Sequence, residues 1–290
     1  MGGDKDREEK KRLMAKTLYV SDLDGTLFGE DSRVSAESAS LLNGAIARGA
    51  LFTAATARTP ATVSILLSGI QVALPIVVMT GAAMWNPASG LYSDVVTMHP
   101  GTADEVLRAI RAHSLPAFMF TMREGVIQTY HTGTLSPLEE EFIATRSLSP
   151  YKRFHVPADG ESEMPAPLSD VLLFYAMQPS AMAAGAYSDI VKIDGCNPIY
   201  YHDQFGPDTG ILEVFSADAS KANAVRKLKA ATGADRIVAF GDNLNDLPLL
   251  RMADVAIAVE NAVDEVKAEA DIIIGTNTSD AVARYIHDNL

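Results

Sequence analysis

The sequence predicts an α/β protein: a doubly wound parallel sheet of the Rossmann-like kind, with an α+β domain inserted into it. Three observations carry this. Short apolar, β-rich runs alternate with amphipathic helical stretches at both ends of the chain. That rhythm breaks from about Trp85 to Ser216, where Tyr, Phe, His and Pro become denser and period-two runs appear. Finally, aspartate-containing turns stand directly after predicted strands in both end segments.

Residues 1–16, rich in Lys, Arg, Asp and Glu, read as a disordered lead-in. Thr17-Leu18-Tyr19-Val20-Ser21 is nearly continuous in apolar character, as a strand buried on both faces should be. Ser35 is a good N-cap for a helix whose apolar side holds Leu41, Leu42, Ala45 and Ile46, and Gly49 marks its end. Leu51 to Ala55 reads as a second strand, Thr59-Pro60 as a helix start, and Ile76 to Met79 as a third strand. The late segment repeats the pattern. A helix from about Ser220 ends near Gly233, and a strand at Ile237 to Phe240 runs into Gly241-Asp242. Strands at Val255 to Val259 and Ile272 to Ile274 flank a helix at Ala262 to Ala268, and a last helix begins near Ser279. Within the insertion, Ala117 to Phe120 and Val126 to Tyr130 alternate as antiparallel strands do. The expected domains are therefore a discontinuous core, 17–84 with 217–290, and an inserted domain, 85–216.

Composition narrows the function. The chain has 290 residues, is 48% hydrophobic and carries a net charge of −13. A surface that acidic repels nucleic acid and anionic membrane. It also repels a small phosphate ester, so a phosphate site must be made locally positive or built around a metal. A single cysteine, Cys196, excludes an internal disulfide and a cysteine-based zinc site. The N-terminus lacks the apolar stretch of a signal peptide, and the most apolar window, Gly69 to Trp85, is interrupted by Gln71, Pro75 and Gly81. A cytoplasmic protein, monomeric or homodimeric, with a small-molecule partner is the expectation.

Asp22-Leu23-Asp24-Gly25-Thr26 follows the first strand, and Asp242-Asn243-Leu244-Asn245-Asp246 follows another. Open α/β sheets bind ligands at the carboxyl ends of their strands. Carboxylates gathered there raise one another's pKa values unless a cation intervenes, and hard oxygen ligands suit Mg²⁺. Lys221 stands in the first turn of a helix, where the dipole already favours an anion, and Thr56 follows the second strand. Taken singly these are ordinary: Asp-Gly is a common turn, Lys221 a helix-surface residue, Thr56 a cap. Their weight lies in the order of four such signals, each at a strand end or helix start.

That order, Asp22-x-Asp24-Gly25-Thr26, Thr56, Lys221, then Gly241-Asp242-x-x-Asn245-Asp246, resembles the four motifs of the haloacid dehalogenase superfamily. The large insertion between the second and third motifs resembles the Cof-type phosphatase branch, subfamily IIB, with its type-two cap. The likeness covers both ends, about half the chain. It implies an Mg²⁺-dependent phosphatase acting on a small phosphate monoester, such as a sugar phosphate, with an active site in the cleft between core and cap. It implies Asp22 as nucleophile and Asp24 as general acid and base, with Asp24's carboxyl free to carry a proton. Leu23, Thr56, Ala57, Lys221 and Asn245 would hold the phosphoryl group. Asp22, the backbone carbonyl of Asp24, and Asp242 would hold the metal, with Asp246 acting through water. Arg58 is open to two readings, a substrate contact or a structural ion pair. Ala57, Thr80 and Ala222 stand where the branch usually has Gly, Asn and Gly. Two alternatives remain at this stage: a phosphomutase, and a non-hydrolytic phospho-aspartate receiver, against which Asp24 argues.

Overall fold

The computed structural model describes residues 16–156, 168–202 and 208–290, so all but Lys16 of the expected lead-in lies outside the described residues. The first stretch holds β1 (Thr17–Ser21), α1 (Ala36–Ala47), β2 (Leu51–Ala54), α2 (Pro60–Leu66), β3 (Ile76–Val78), β4 (Ala83–Trp85) and β5 (Tyr92–Ser93). Then come α3 (Pro100–Ala112), β6 (Ala117–Arg123), β7 (Val126–Thr132), α4 (Pro137–Arg146), β8 (Lys152–His155), β9 (Val171–Pro179), α5 (Ser180–Ile190), β10 (Cys196–His202) and β11 (Thr209–Ser216). The last stretch holds α6 (Lys221–Thr232), β12 (Arg236–Gly241), α7 (Leu247–Met252), β13 (Val255–Val259), α8 (Asp264–Glu269), β14 (Ile272–Ile274) and α9 (Ala281–Asp288).

Capping residues set the helix limits as the sequence suggests. Ser35 accepts a hydrogen bond from the Ser38 N–H at the start of α1, and Ser220 does the same for Asn223 in α6. Gly233 closes α6 in the left-handed conformation, φ +63°. Pro60 occupies the first turn of α2, where its missing N–H costs nothing.

The described residues fall into two units: 16–59, 63–93 and 220–290 in one, 60–62 and 94–219 in the other. In the first, the strand order β14-β13-β12-β1-β2 is parallel throughout. From β1 the chain builds outward to β2, and from β12 it builds the opposite way, so the order reverses between β1 and β12. Ligands bind at such switch points in open α/β sheets. The Tyr19 hydroxyl donates to the carbonyl of Asn289, beyond α9. Its neighbours Leu18 and Val20 therefore point to the opposite face, and all are buried, so β1 is covered on both sides. β3 joins this sheet only through a bridge between Ala55 and Val77, and otherwise forms an antiparallel sheet with β4 and β5. Trp85, expected to open the insertion, is thus paired in register with Ile76 inside the first unit.

The second unit is a sheet of order β10-β11-β9-β6-β7-β8, antiparallel except between β7 and β8. The β6–β7 turn places Glu124 and Gly125 at φ +52° and +73°, the backbone of a tight hairpin. Ala103, Val106 and Ile110 of α3 and Ala183, Ala186 and Ile190 of α5 pack with Met119, Phe174, Ala176, Leu212 and Val214 as one core. No helix among the described residues is long and apolar enough to cross a membrane.

Candidate active site

β1 ends at Ser21, and the Asp22 N–H still donates to Phe240 of β12, which fixes Asp22 at the strand end. The next turn, Leu23–Leu27, is unusually wide, closed by the Phe28 N–H on the Leu23 carbonyl at 2.8 Å. Gly25 makes it possible: φ is +77°, and a Cβ there would stand 2.4 Å from Asp242 Oδ2. The loops after β1 and β12 are therefore in direct contact. Thr26 strengthens the contact by donating to Asp242 Oδ1 at 2.7 Å.

Lys221, 2% exposed, lies at the centre of the cluster. Its amine donates to Asp22 Oδ1 at 2.5 Å and to Asp246 Oδ1 at 2.7 Å. The other oxygen of Asp246 accepts the N–H groups of Asp242 and Asn243. Gly241 leaves room for this turn, since a Cβ there would lie 2.6 Å from Asp246 Cβ. Gly81 does the same for the start of α6, because a Cβ would meet the Ser220 carbonyl at 2.2 Å.

Thr56 is buried after β2, and its hydroxyl accepts the Arg58 N–H while its carbonyl accepts that of Thr80. Ala57 is half-buried in the same turn, and Asn245 is half-buried in the turn after β12. Arg58 reaches back to Asp24, with Nε to Oδ2 at 2.7 Å and Nη2 to Oδ1 at 2.6 Å. The structure thus pairs Arg58 with Asp24, and a guanidinium one loop away meets both oxygens of that carboxylate. Two further residues escaped sequence reading. Thr26 was only part of a motif, and Asn261, which donates to the Gly25 carbonyl at 2.7 Å, follows β13. A polar residue just past a strand end was the one available signal.

The electrostatics follow from burial. The Asp22 carboxyl is raised well above the usual carboxylate range by desolvation, then by the charges of Asp246 and Asp242, against the pull of Lys221. Asp242 is raised to about 6, chiefly by burial, with the Thr26 hydrogen bond opposing and Asp246 adding to the rise. Burial opposes the charge on Lys221, but Asp22 and Asp246 outweigh it and hold the amine protonated. One ammonium thus faces three carboxylates, those of Asp22, Asp242 and Asp246, whose oxygens lie within 4.8 Å of one another. Such a set fits a hard divalent cation. Asp246 already accepts three hydrogen bonds on its two oxygens, which leaves Asp22 and Asp242 the better placed to give oxygen to a metal.

The sequence model of the haloacid dehalogenase-like hydrolases matches residues 19–286. The chain is 23% identical over 274 residues to the 5-amino-6-(5-phospho-D-ribitylamino)uracil phosphatase YitU of Bacillus subtilis, covering 93% of this chain and 96% of that one. It is 38% identical over 92 residues to the pyridoxal phosphate phosphatase YbhA of Escherichia coli, a match spanning 31% of each chain. Its fold is like that of a haloacid dehalogenase-like hydrolase from Bacteroides thetaiotaomicron, at TM-score 0.74 and 20% identity over 94% of this chain and 99% of that one. It is also like that of a subclass IIB sugar phosphatase, at TM-score 0.71 and 18% identity over 94% and 98% of the two chains. With a family match from β1 to α9, the chain is an enzyme and belongs to the haloacid dehalogenase-like hydrolases.

Proposed function

We propose that the chain is an Mg²⁺-dependent phosphatase that hydrolyses a small phosphate monoester through an aspartyl phosphate on Asp22, with the inserted unit as its cap. The observation that carries this is Lys221 bridging Asp22 and Asp246 beside Asp242 at the carboxyl edge of the parallel sheet. Phosphoryl transfer asks mainly for alignment and for charge opposite the transferring oxygens. Lys221 supplies part of that charge. Asp22 and Asp242, with the Asp24 carbonyl, would hold the metal, which when bound supplies the remaining positive charge.

The residues divide the reaction as follows. An Asp22 oxygen forms a bond to phosphorus as the ester P–O bond breaks, and the departing oxygen takes a proton from Asp24. Water then gives a proton back to Asp24 and attacks phosphorus, which releases phosphate and regenerates the Asp22 carboxylate. Thr56 and the N–H groups of Leu23 and Ala57 hold the phosphoryl oxygens, with Asn245 reaching the same group. The pair with Arg58 aligns Asp24, and the acid must take up its proton within that pair. The substrate class is a small phosphorylated metabolite. That is common to relatives named for pyridoxal phosphate and a phosphoribitylaminouracil, and to a neighbour titled a sugar phosphatase.

The test is to trap the intermediate. Borohydride added during turnover reduces an aspartyl phosphate to homoserine, which mass spectrometry locates. Homoserine at position 22 is the expected result. Undiminished turnover with Asp22 never modified would refute the covalent route.

A further inference from the structure

Two asparagines outside the carboxylate cluster brace the wide turn after β1. Asn261 Nδ2 donates to the Gly25 carbonyl at 2.7 Å, in the middle of the turn. Asn277 Nδ2 donates to the Phe28 carbonyl at 2.8 Å, just past its end. The two asparagines are themselves joined, because Asn261 Oδ1 accepts the Asn277 N–H at 2.9 Å. Topology explains why they meet. Asn261 follows β13 and Asn277 follows β14, neighbouring parallel strands whose loops open on the same carboxyl edge as the turn after β1. The Glu260 N–H, on the Gly275 carbonyl at 3.3 Å, ties the same two loops together.

The loop after β13 also reaches the far side of the site. The Val263 N–H donates to the Asp242 carbonyl at 3.0 Å, and the Asp242 carboxylate accepts the Thr26 hydroxyl. Residues 261–263 therefore hold both the turn and Asp242, and Thr26 closes the ring of contacts. The turn needs this support. Asp24 (φ −74°, ψ 122°) and Gly25 (φ 77°, ψ −6°) leave helical geometry inside it, so the repeating bonds that lock an α-helix cannot fix it. Asn261 is exposed and Asn277 half-buried. What they give the protein is hydrogen bonding at defined points, not core volume.

We propose that Asn261 and Asn277 are positioning residues for the reaction: together they clamp the wide turn so that Asp24 stands where the leaving oxygen departs. This rests on the phosphatase reading above, in which Asp24 is the acid. Both asparagines act through the turn backbone. Arg58 fixes the Asp24 carboxylate from one side, and the clamp fixes the backbone that carries it from the other. Without the clamp the turn samples more arrangements, and fewer of them align the acid. The chemical step then suffers more than substrate binding, since a misplacement of about 1 Å can cost up to about 100-fold in rate.

The test compares the intact enzyme with Asn261→Ala, Asn277→Ala and the double variant. Amide hydrogen exchange, read by mass spectrometry on the peptide covering residues 22–28, reports the turn without any substrate. Single-turnover rates with Mg²⁺ are measured on an alkyl phosphate and on p-nitrophenyl phosphate. Each single variant should speed exchange in the turn about fivefold, the equivalent of one lost hydrogen bond. The melting temperature should fall by no more than about 4 °C. The rate on the alkyl ester should drop about tenfold and that on the aryl ester much less, with KM little changed. The double variant should lose less than the product of the single losses, because either change loosens the same turn. Unaltered exchange in the turn would overturn the proposal, and so would losses that simply multiply. Equal slowing of both esters would also overturn it, and Asp24→Asn run alongside shows where the fault lies. If Asp24→Asn discriminates between the esters and the asparagine variants do not, the clamp is wrong and the acid stands. If Asp24→Asn slows both equally, the acid assignment fails and the clamp's role fails with it. A wild type that releases phosphate from neither ester removes the phosphatase reading and this inference together.

Discussion

Arg58 grips Asp24 at two points, Nε on Oδ2 and Nη2 on Oδ1. Arg58 is itself anchored, because its N–H is held by the Thr56 hydroxyl and its carbonyl by the Met79 N–H. Asp24 has no comparable burial, with 47% of its side chain exposed, so the guanidinium supplies its orientation. Lysine cannot reproduce a two-point contact. Arg58→Lys should therefore lower kcat on an alkyl phosphate about tenfold, the cost of a misplaced acid rather than a missing one. KM should move little. Unchanged kcat on the alkyl ester would show that the pair does not position Asp24.

Asp22→Asn should abolish turnover on every substrate, since an amide is a poor nucleophile. Asp24→Asn keeps the backbone and the side-chain shape but removes proton transfer. It should cost ~10²–10⁴-fold on an alkyl phosphate. The loss should shrink on p-nitrophenyl phosphate, whose leaving group needs little protonation. If single-turnover rates fall equally on both esters, Asp24 is not the acid.

Gly25 joins the turn after β1 to the aspartate after β12. Gly25→Ala would set a methyl group against the Asp242 carboxylate and force an L side chain into φ +77°. The strain alone is worth about 1–2 kcal/mol. The larger effect should fall on metal activation: the Mg²⁺ concentration for half-maximal activity should rise at least about tenfold, or 1.4 kcal/mol. Excess EDTA should silence the wild type, and added Mg²⁺ should restore it. A Gly25→Ala enzyme with unaltered Mg²⁺ dependence would argue against Asp242 as a ligand.

Much of this was legible in the sequence, and for physical reasons. β1, β12 and β13 are buried on both faces, so they read as near-continuous apolar runs, and capping serines and glycines punctuate the helices between them. The segments at Asp22, Thr56 and Asp242 follow β1, β2 and β12 because the topology of a parallel sheet puts them there, and Lys221 opens α6. The contact that holds Asp24 was not legible. An arginine after a threonine turn gives no sign of which loop it will reach, and here its partner is 34 residues away in sequence. β3 is a strand where one was expected, but its main pairing was not legible, for a related reason. Ile76-Val77-Val78 has the composition of a central strand, but the positive φ values at Met79, Thr80 and Gly81 turn the chain back into a hairpin with β4. Local composition does not report pairing partners. Nor did the insertion reveal its buried polar groups, since His131, Glu139 and Gln178 come from three different elements, β7, α4 and β9.

Those three residues support the last prediction. Glu139 is fully buried, and its oxygens accept three hydrogen bonds: from His131 Nε2 at 3.0 Å, Gln178 Nε2 at 2.8 Å and the Ser136 N–H at 2.8 Å. The last belongs to a capping box that starts α4. His131 Nδ1 lies 3.1 Å from the Gly133 carbonyl, so both ring nitrogens face acceptors. Burial pushes the Glu139 carboxyl upward, but the His131 and Ser136 hydrogen bonds outweigh it, and the net shift is downward. The sign follows. A carboxylate with a folded pKa below its unfolded value contributes stability that is fully present above the unfolded value of about 4.3. That stability is lost as pH falls through the folded value. Glu139→Gln keeps the shape and one acceptor oxygen but leaves the buried histidine without its anion. It should destabilise the enzyme by about 3 kcal/mol near neutral pH, the low end for breaking a buried pair. Urea unfolding across a pH series would measure this. The gap between wild type and variant should be constant above about pH 5 and close steadily below about pH 4, as the wild type loses what the variant never had. A gap that stays constant to the acid limit would mean that packing, not the carboxylate charge, is what Glu139 contributes.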